Sequence, residues 1–167
     1  MKPLIQAAGA LLACCIVSFF MLGWFMPFNK FKLSFNTAAT PKQVVRFLRE
    51  SQNHPKWVLD VKQPVVLSDS SFYLPYQEGQ DTAYVFLFSA DSNDVRFFFS
   101  DHWQSGMLDF RTANHGDSTE VLFYNDTKGH TFWKKCLLAW RAIWTIDRWK
   151  GDLDKLKNLL DRIPSTE

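Results

Sequence analysis

Charge is absent from one long stretch of this 167-residue chain and nearly cancels over the rest. Lysine and arginine number 19 against 17 aspartates and glutamates, and setting Lys2 aside leaves 18 against 17. A balance of +1 is too weak to leave an electrostatic footprint on nucleic acid. No basic cluster interleaves with aromatics along one element either, so nucleic acid is excluded as a partner. Cysteine is scarce: Cys14 and Cys15 fall in the uncharged stretch and Cys136 stands far away, which leaves no disulfide framework and no reading of redox compartment. Four scattered histidines have no second ligand at i+2 to i+4, so the spacing of a metal site is missing and neither metal nor other cofactor is expected. Internal repeats and low-complexity segments are missing too. Aromatic side chains are what the chain has in excess, at 16% with 16 Phe and 7 Trp.

The uncharged stretch runs from Leu4 to Phe28 and is apolar apart from Gln6 and Ser18. As a helix it would extend about 37 Å, enough to cross a hydrocarbon core of about 30 Å with some tilt. Trp24 and Phe25 sit near one end, where aromatic belts form, and Lys30 and Lys32 follow at once. A cleavable signal peptide would have a shorter apolar core ending in small residues, whereas here the run continues through Phe19, Phe20 and Met21. Residues 1–29 therefore read as an uncleaved single-pass membrane anchor and 30–167 as one further domain. The basic residues flanking the anchor leave the side of the membrane open.

Asn29 to Asn36 alternates Phe31, Leu33 and Phe35 with Lys30, Lys32 and Ser34, the pattern of a half-buried strand. Thr40-Pro41 supplies an N-cap and a first-turn proline for a short helix with Val44, Val45, Phe47 and Leu48 inward, ended by Asn53-His54-Pro55. Strand-like segments then follow at Pro64–Leu67, Phe72–Tyr76, Thr82–Ala90, Asp94–Ser100, Gly106–Ala113 and Thr119–Asn125. Ser68-Asp69-Ser70, Glu78-Gly79, Asp91-Ser92-Asn93 and Asn114 to Asp117 mark turns between them. Connections this short favour consecutive antiparallel hairpins.

Thr131 to Ile163 is the longest segment with helical period outside the anchor. Trp133, Leu137, Trp140 and Trp144 form one stripe; Phe132, Cys136, Ala139, Ile143 and Ile146 form a second beside it. A face that wide is expected to lie across a broad partner, the sheet before it. The predicted class is α+β, with a curved antiparallel sheet gripping a long C-terminal helix after one N-terminal transmembrane helix.

This order, with Phe25-Met26-Pro27 running into Phe31-Lys32-Leu33-Ser34-Phe35-Asn36, resembles the START-related superfamily, also called SRPBCC or polyketide cyclase-like, and in particular its small bacterial membrane-anchored members. Thr40-Pro41-Lys42-Gln43-Val44, Asn53-His54-Pro55-Lys56-Trp57 and the run from Asp147 to Lys157 carry the similarity further. The resemblance implies the helix-grip fold with a hydrophobic cavity between sheet and helix. Roles in that superfamily range from lipid carriage to cyclase chemistry, so fold leaves function open.

The expected lining of that cavity is Tyr84, Phe86, Phe88, Phe97, Phe99, Leu108, Phe110 and Phe123 on the sheet, Trp57 beside it, and Trp133, Leu137, Trp140 and Trp144 on the helix. So lined, it would take an apolar small molecule or lipid; filling of the space by the rings themselves is the competing expectation. Val85, Leu87 and Phe98 are then expected on the convex side, where a second copy of the chain is a candidate partner. Asp101-His102 and His115 are the acid/base candidates nearest strand ends, and both lie in polar loop sequence, so no catalytic residue is assigned. A cyclase or dehydratase-like enzyme and a partner-binding module without ligand are the alternatives. Cys136 reads as a buried inert thiol. Asn125-Asp126-Thr127 matches a glycosylation acceptor triplet.

Overall fold

The computed structural model describes residues 2–26, 28–77 and 81–164. The expected turn at Glu78-Gly79 and the side chain of Ile143 lie outside the described residues. Helix α1 (Lys2–Phe25) leads into strand β1 (Phe28–Thr37), helix α2 (Pro41–Arg49), a 3-10 turn (Ser51–Asn53) and the single-turn helix α3 (His54–Trp57). Strands β2 (Val65–Ser68), β3 (Ser71–Pro75), β4 (Thr82–Ala90), β5 (Asp94–Ser100), β6 (Gln104–His115) and β7 (Ser118–Gly129) precede helix α4 (Phe132–Leu160).

All seven strands form one antiparallel sheet in the order β1-β7-β6-β5-β4-β3-β2. Six strands make a meander, and β1 closes its far edge by pairing with β7. Expected architecture and observed architecture agree. The Phe28↔Lys128 pair sets the end of α1 beside the start of α4.

Local chemistry accounts for the helix starts. Thr40 Oγ1 accepts from Gln43 N while Gln43 Oε1 accepts from Thr40 N at 2.8 Å, a capping box ahead of Pro41. Such a cap is worth about 1 kcal/mol. Val44, Val45 and Leu48 on α2 are buried. Asn53-His54-Pro55 does not stop the chain's helical course; Pro55 sits in the first turn of α3 and carries Trp57 into the core. At the C-terminal side, Thr131 caps α4 by accepting from Lys134 N.

Strand register decides which rings are inside. Val85 pairs with Phe99 and Leu87 with Phe97, so these four share the face turned to the core. Tyr84 pairs with Ser100 and Phe86 with Phe98 on the opposite face, and a register shift between Leu87 and Ser89 leaves Phe88 out with them at 62% exposure. The expected positions of Tyr84, Phe86 and Phe88 in the lining, and of Val85 and Leu87 on the convex side, are therefore reversed. β4 is apolar at every position from Ala83 to Phe88, and a choice one residue off flips the whole strand. Phe98 is outside as expected.

Helix α4 divides in two. Its second half buries Leu153, Leu156 and Leu160, and Trp149 packs on Phe123 at 4.7 Å between ring centroids. The first half turns its tryptophan stripe away from the sheet: Trp133 is 60% exposed, Leu137 37%, Trp140 48% and Trp144 72%. Those four line no space between sheet and helix, which corrects their expected place. Among the described residues of this half Cys136 is the buried one, and it packs against Gly23 of α1. A Cβ on Gly23 would stand 2.0 Å from Cys136 Sγ, so only glycine permits that approach. Phe19 and Phe20 stack around it on Trp133, Trp140 and Phe132.

Candidate functional site

Six of the expected site residues converge between the sheet and the helices. Phe97 and Phe99 come from β5, Leu108 and Phe110 from β6, Phe123 from β7 and Trp57 from α3. The five strand residues point inward because alternate residues of paired strands share a face, and Trp57 is buried against them from α3. Their rings touch in a continuous series: Trp57 on Phe110 at 5.9 Å and 84°, Phe97 on Phe110 at 6.4 Å and 83°, Phe110 on Phe123 at 4.8 Å. Edge-to-face contacts of this kind add about 0.5–1.5 kcal/mol per pair beyond area burial. His54 continues the series, edge-on to Phe72 at 4.9 Å and to Phe97 at 5.3 Å.

Polar groups gather at the end of the sheet beside the start of α4. Asn29 on β1, Gln104 on β6 and Asn125 and Thr127 on β7 all turn inward. Asn125 Nδ2 donates to Asn29 O and to Thr127 Oγ1 at 3.1 Å, and Thr127 Oγ1 donates to Gln104 Oε1 at 3.0 Å. Two donors among the described residues are buried without a partner in this interior: Asn29 Nδ2 and Trp57 Nε1. Sequence reading passed over this cluster, although the signal was there. Asn29 continues the alternation of Phe31, Leu33 and Phe35, and Asn125 and Thr127 continue that of Val121 and Phe123. Asn125 is 4% exposed inside a strand, so the glycosylation triplet is not an accessible acceptor in the folded chain.

The ionisable groups of the interior are tied down. His54 lies with Nε2 2.9 Å from Leu48 O, so that nitrogen carries the proton and donates it. Burial lowers its pKa to about 4, with the Leu48 carbonyl pulling the other way, and the ring is neutral at physiological pH. Tyr76 donates its hydroxyl to Asp101 Oδ2 at 3.2 Å; burial and then the Asp101 charge push its pKa up. Asp101 spends its other oxygen on the backbone N–H groups of Trp103 and Gln104, shaping the β5–β6 turn. His115 sits at the opposite end of β6, paired with Glu120 at 3.4 Å. Asp101 and His115 are thus about 40 Å apart along the strand and share no site. On α4, Asp152 accepts from Leu59 N at 2.9 Å, and its burial raises its pKa to about 6 against the weaker opposing effect of that bond.

Two open concavities lie elsewhere. One of ≈ 550 Å³ sits between α2 and the β4–β5 turn, lined by Arg46, Arg49, Glu50 and Asp91 among others. The second, ≈ 720 Å³, spans the outer sheet face at Lys32, Phe88, Arg96, Met107, Arg111 and Tyr124. There Asp109 accepts from Arg111 at 2.9 Å and Arg96 at 3.4 Å, and Arg111 lies over the Tyr124 ring.

No protein-family model matches the chain, and no curated protein matches it in sequence. Solved structures do. A START superfamily protein from Mycobacterium smegmatis superposes with a TM-score of 0.60 at 16% identity, over 78% of this chain and 98% of that one. A conserved protein from Geobacillus kaustophilus gives 0.67 at 10% identity, over 78% and 94%. A Rhizobium loti protein gives 0.62 at 10% identity, over 78% and 96%. The fold is START-like. Identities this low carry the fold and nothing of the activity. Within the START-like frame, the aromatic series and the Asn29–Asn125 cluster occupy the space between the sheet and the C-terminal helix.

Proposed function

We propose that this chain is a membrane-anchored START-like domain, residues 1–29 forming the anchor, that holds an apolar small molecule or lipid between sheet and α4. START-like folds are known for binding hydrophobic ligands. The observation that carries the reading is the pair of unpartnered buried donors, Asn29 Nδ2 in the polar cluster and Trp57 Nε1 in the aromatic series. Each such donor costs about 1–3 kcal/mol when left unmade. An apolar ligand with a carbonyl, ester or hydroxyl oxygen would relieve that cost, and its body would displace or spread the rings.

Retention of α1 is supported by packing. Leu4–Phe25 is long and apolar enough to cross a membrane, a test that a signal sequence also passes. A signal sequence is cut away, however, and here Gly23 seals Cys136 while Phe19 and Phe20 cover Trp133. Tethering at a bilayer would keep the domain beside membrane-derived ligands.

Native mass spectrometry of the full chain released from mild detergent, followed by solvent extraction, tests the ligand. An oxygen-bearing apolar species is expected at a stoichiometry that Asn29→Leu with Trp57→Phe lowers several-fold. A chain that is consistently empty, with or without those substitutions, would count decisively against it.

A further inference from the structure

Seven tryptophans stand in the chain, and their distribution is uneven. Trp57 and Trp149 belong to the core. The other five, Trp24, Trp103, Trp133, Trp140 and Trp144, are exposed, and all five fall on the first half of α4 or on elements that touch its start. Trp103 is held there because His130 N donates to its carbonyl and Lys134 Nζ lies 5.5 Å over its ring. α1 contributes Phe19 and Phe20, whose rings abut Trp133, so the apolar surface of α1 runs on without a break into the stripe of α4.

Charge changes at the same place. From Phe132 to Ile146, α4 carries Lys134, Lys135 and Arg141 and no acid; from Asp147 onward, acids and bases alternate. Arg141 follows the stripe residue Trp140 and so lies about 100° round the helix from it, whereas Lys134, after Trp133, donates its Nζ to His102 O in the β5–β6 turn. An apolar face rich in tryptophan with a purely basic flank is the composition of a helix lying in a membrane interface, its long cations reaching the headgroups. Contact with α1 falls at Phe19, Phe20 and Gly23, within about 9 Å of that helix's last residue, Phe25. If α1 spans the bilayer, that is the depth of the aromatic belt.

We infer that the first half of α4 is a second membrane element, laid into the headgroup–acyl boundary of the leaflet where α1 emerges, with a preference for anionic lipid. The inference rests on the anchor reading above and adds to it a fixed orientation of the domain on the membrane.

The test uses full-length protein with Cys14, Cys15 and Cys136 replaced by alanine, reconstituted in vesicles of phosphatidylcholine alone or with one quarter phosphatidylglycerol. A nitroxide is placed at Trp144→Cys, with Trp133→Cys as a second site and Asp117→Cys in the remote β6–β7 turn as the aqueous control. Oxygen should reach the labels at 144 and 133 several-fold better, relative to a water-soluble nickel complex, than the label at 117, and more so with the anionic lipid. Equal access of the nickel complex to all three sites, in protein that stays membrane-bound at alkaline pH, would overturn the docking and leave the anchor standing. Release of the unmodified chain by alkaline carbonate would overturn the anchor, and the docking with it. Spin–spin broadening between copies labelled at 144 would put a second chain, not lipid, on the stripe.

Discussion

Asp152→Asn is expected to expose a pH dependence that the natural chain conceals. His54 has its pKa lowered from 6.5 to about 4, and Asp152 has its pKa raised from 3.8 to about 6. As pH falls below 6.5 the unfolded chain protonates His54 and the folded chain does not, so stability is lost down to about pH 4. Asp152 works in the opposite sense. The folded chain keeps its proton up to about pH 6 and the unfolded chain gives it up near 3.8, so stability is highest in acid and falls as pH rises between those values. At about 1.4 kcal/mol per unit, each group is worth about 3 kcal/mol over its full window. Between pH 6 and pH 4 each changes stability by about 2 kcal/mol, with opposite signs, and the two nearly cancel. Asparagine keeps an oxygen for Leu59 N and carries no titration. Equilibrium urea unfolding of both full-length chains in detergent micelles, followed by tryptophan emission at pH 4, 5, 6 and 7, reads the difference directly. The variant's stability relative to the natural chain should be about 2 kcal/mol better at pH 6 than at pH 4. A difference that stays constant with pH would mean that Arg148 and Lys155 already neutralise the cost of burying the carboxylate. It would refute the reasoning.

Other perturbations address separate layers of the molecule. Gly23→Ala puts a methyl group into Cys136 Sγ, so α1 and α4 must part; maleimide should then label Cys136 in micelles, where the natural chain resists it. Phe110→Ala removes a fully buried ring that touches Trp57, Phe97 and Phe123, and is expected to cost about 3–5 kcal/mol in the same urea assay. Phe98→Glu lies on the outer face opposite Phe86 and Met107 and should change stability by no more than about 1 kcal/mol, leaving bound ligand unaltered. Loss of self-association in that variant, read by light scattering, would instead assign the outer face to a second copy.

The strand order and both long helices were legible because period and turn chemistry are local. Thr40-Pro41 announced α2, and the hairpin turns fell where serine, asparagine, aspartate and glycine cluster. Facing was less legible, for two physical reasons. On β4 both faces are apolar, so alternation cannot say which is inside, and ring size pointed to Tyr84, Phe86 and Phe88 while pairing with β5 selects Val85 and Leu87. On α4 two apolar stripes lie side by side, and a helix alone cannot tell which one meets the sheet. Large rings suggested the tryptophan stripe, yet those rings stay exposed, and Cys136 of the neighbouring stripe is buried against Gly23 of α1.

What settles the question on α4 is a contact about 100 residues long in sequence. β1 must pair with β7 to close the sheet edge, and the register Phe28↔Lys128 brings the end of α1 against the start of α4 across only the short connections on either side. Once there, α1 needs an apolar neighbour, and the close approach at Gly23 requires a small residue opposite, which Cys136 supplies. The large tryptophans then flank that contact and remain at the surface with α1. The same aromatic stripe that looked like the wall of a cavity becomes, by this geometry, an extension of the apolar N-terminal helix, and the interior is left to Trp57, the phenylalanines of β5 to β7 and the polar cluster at Asn29.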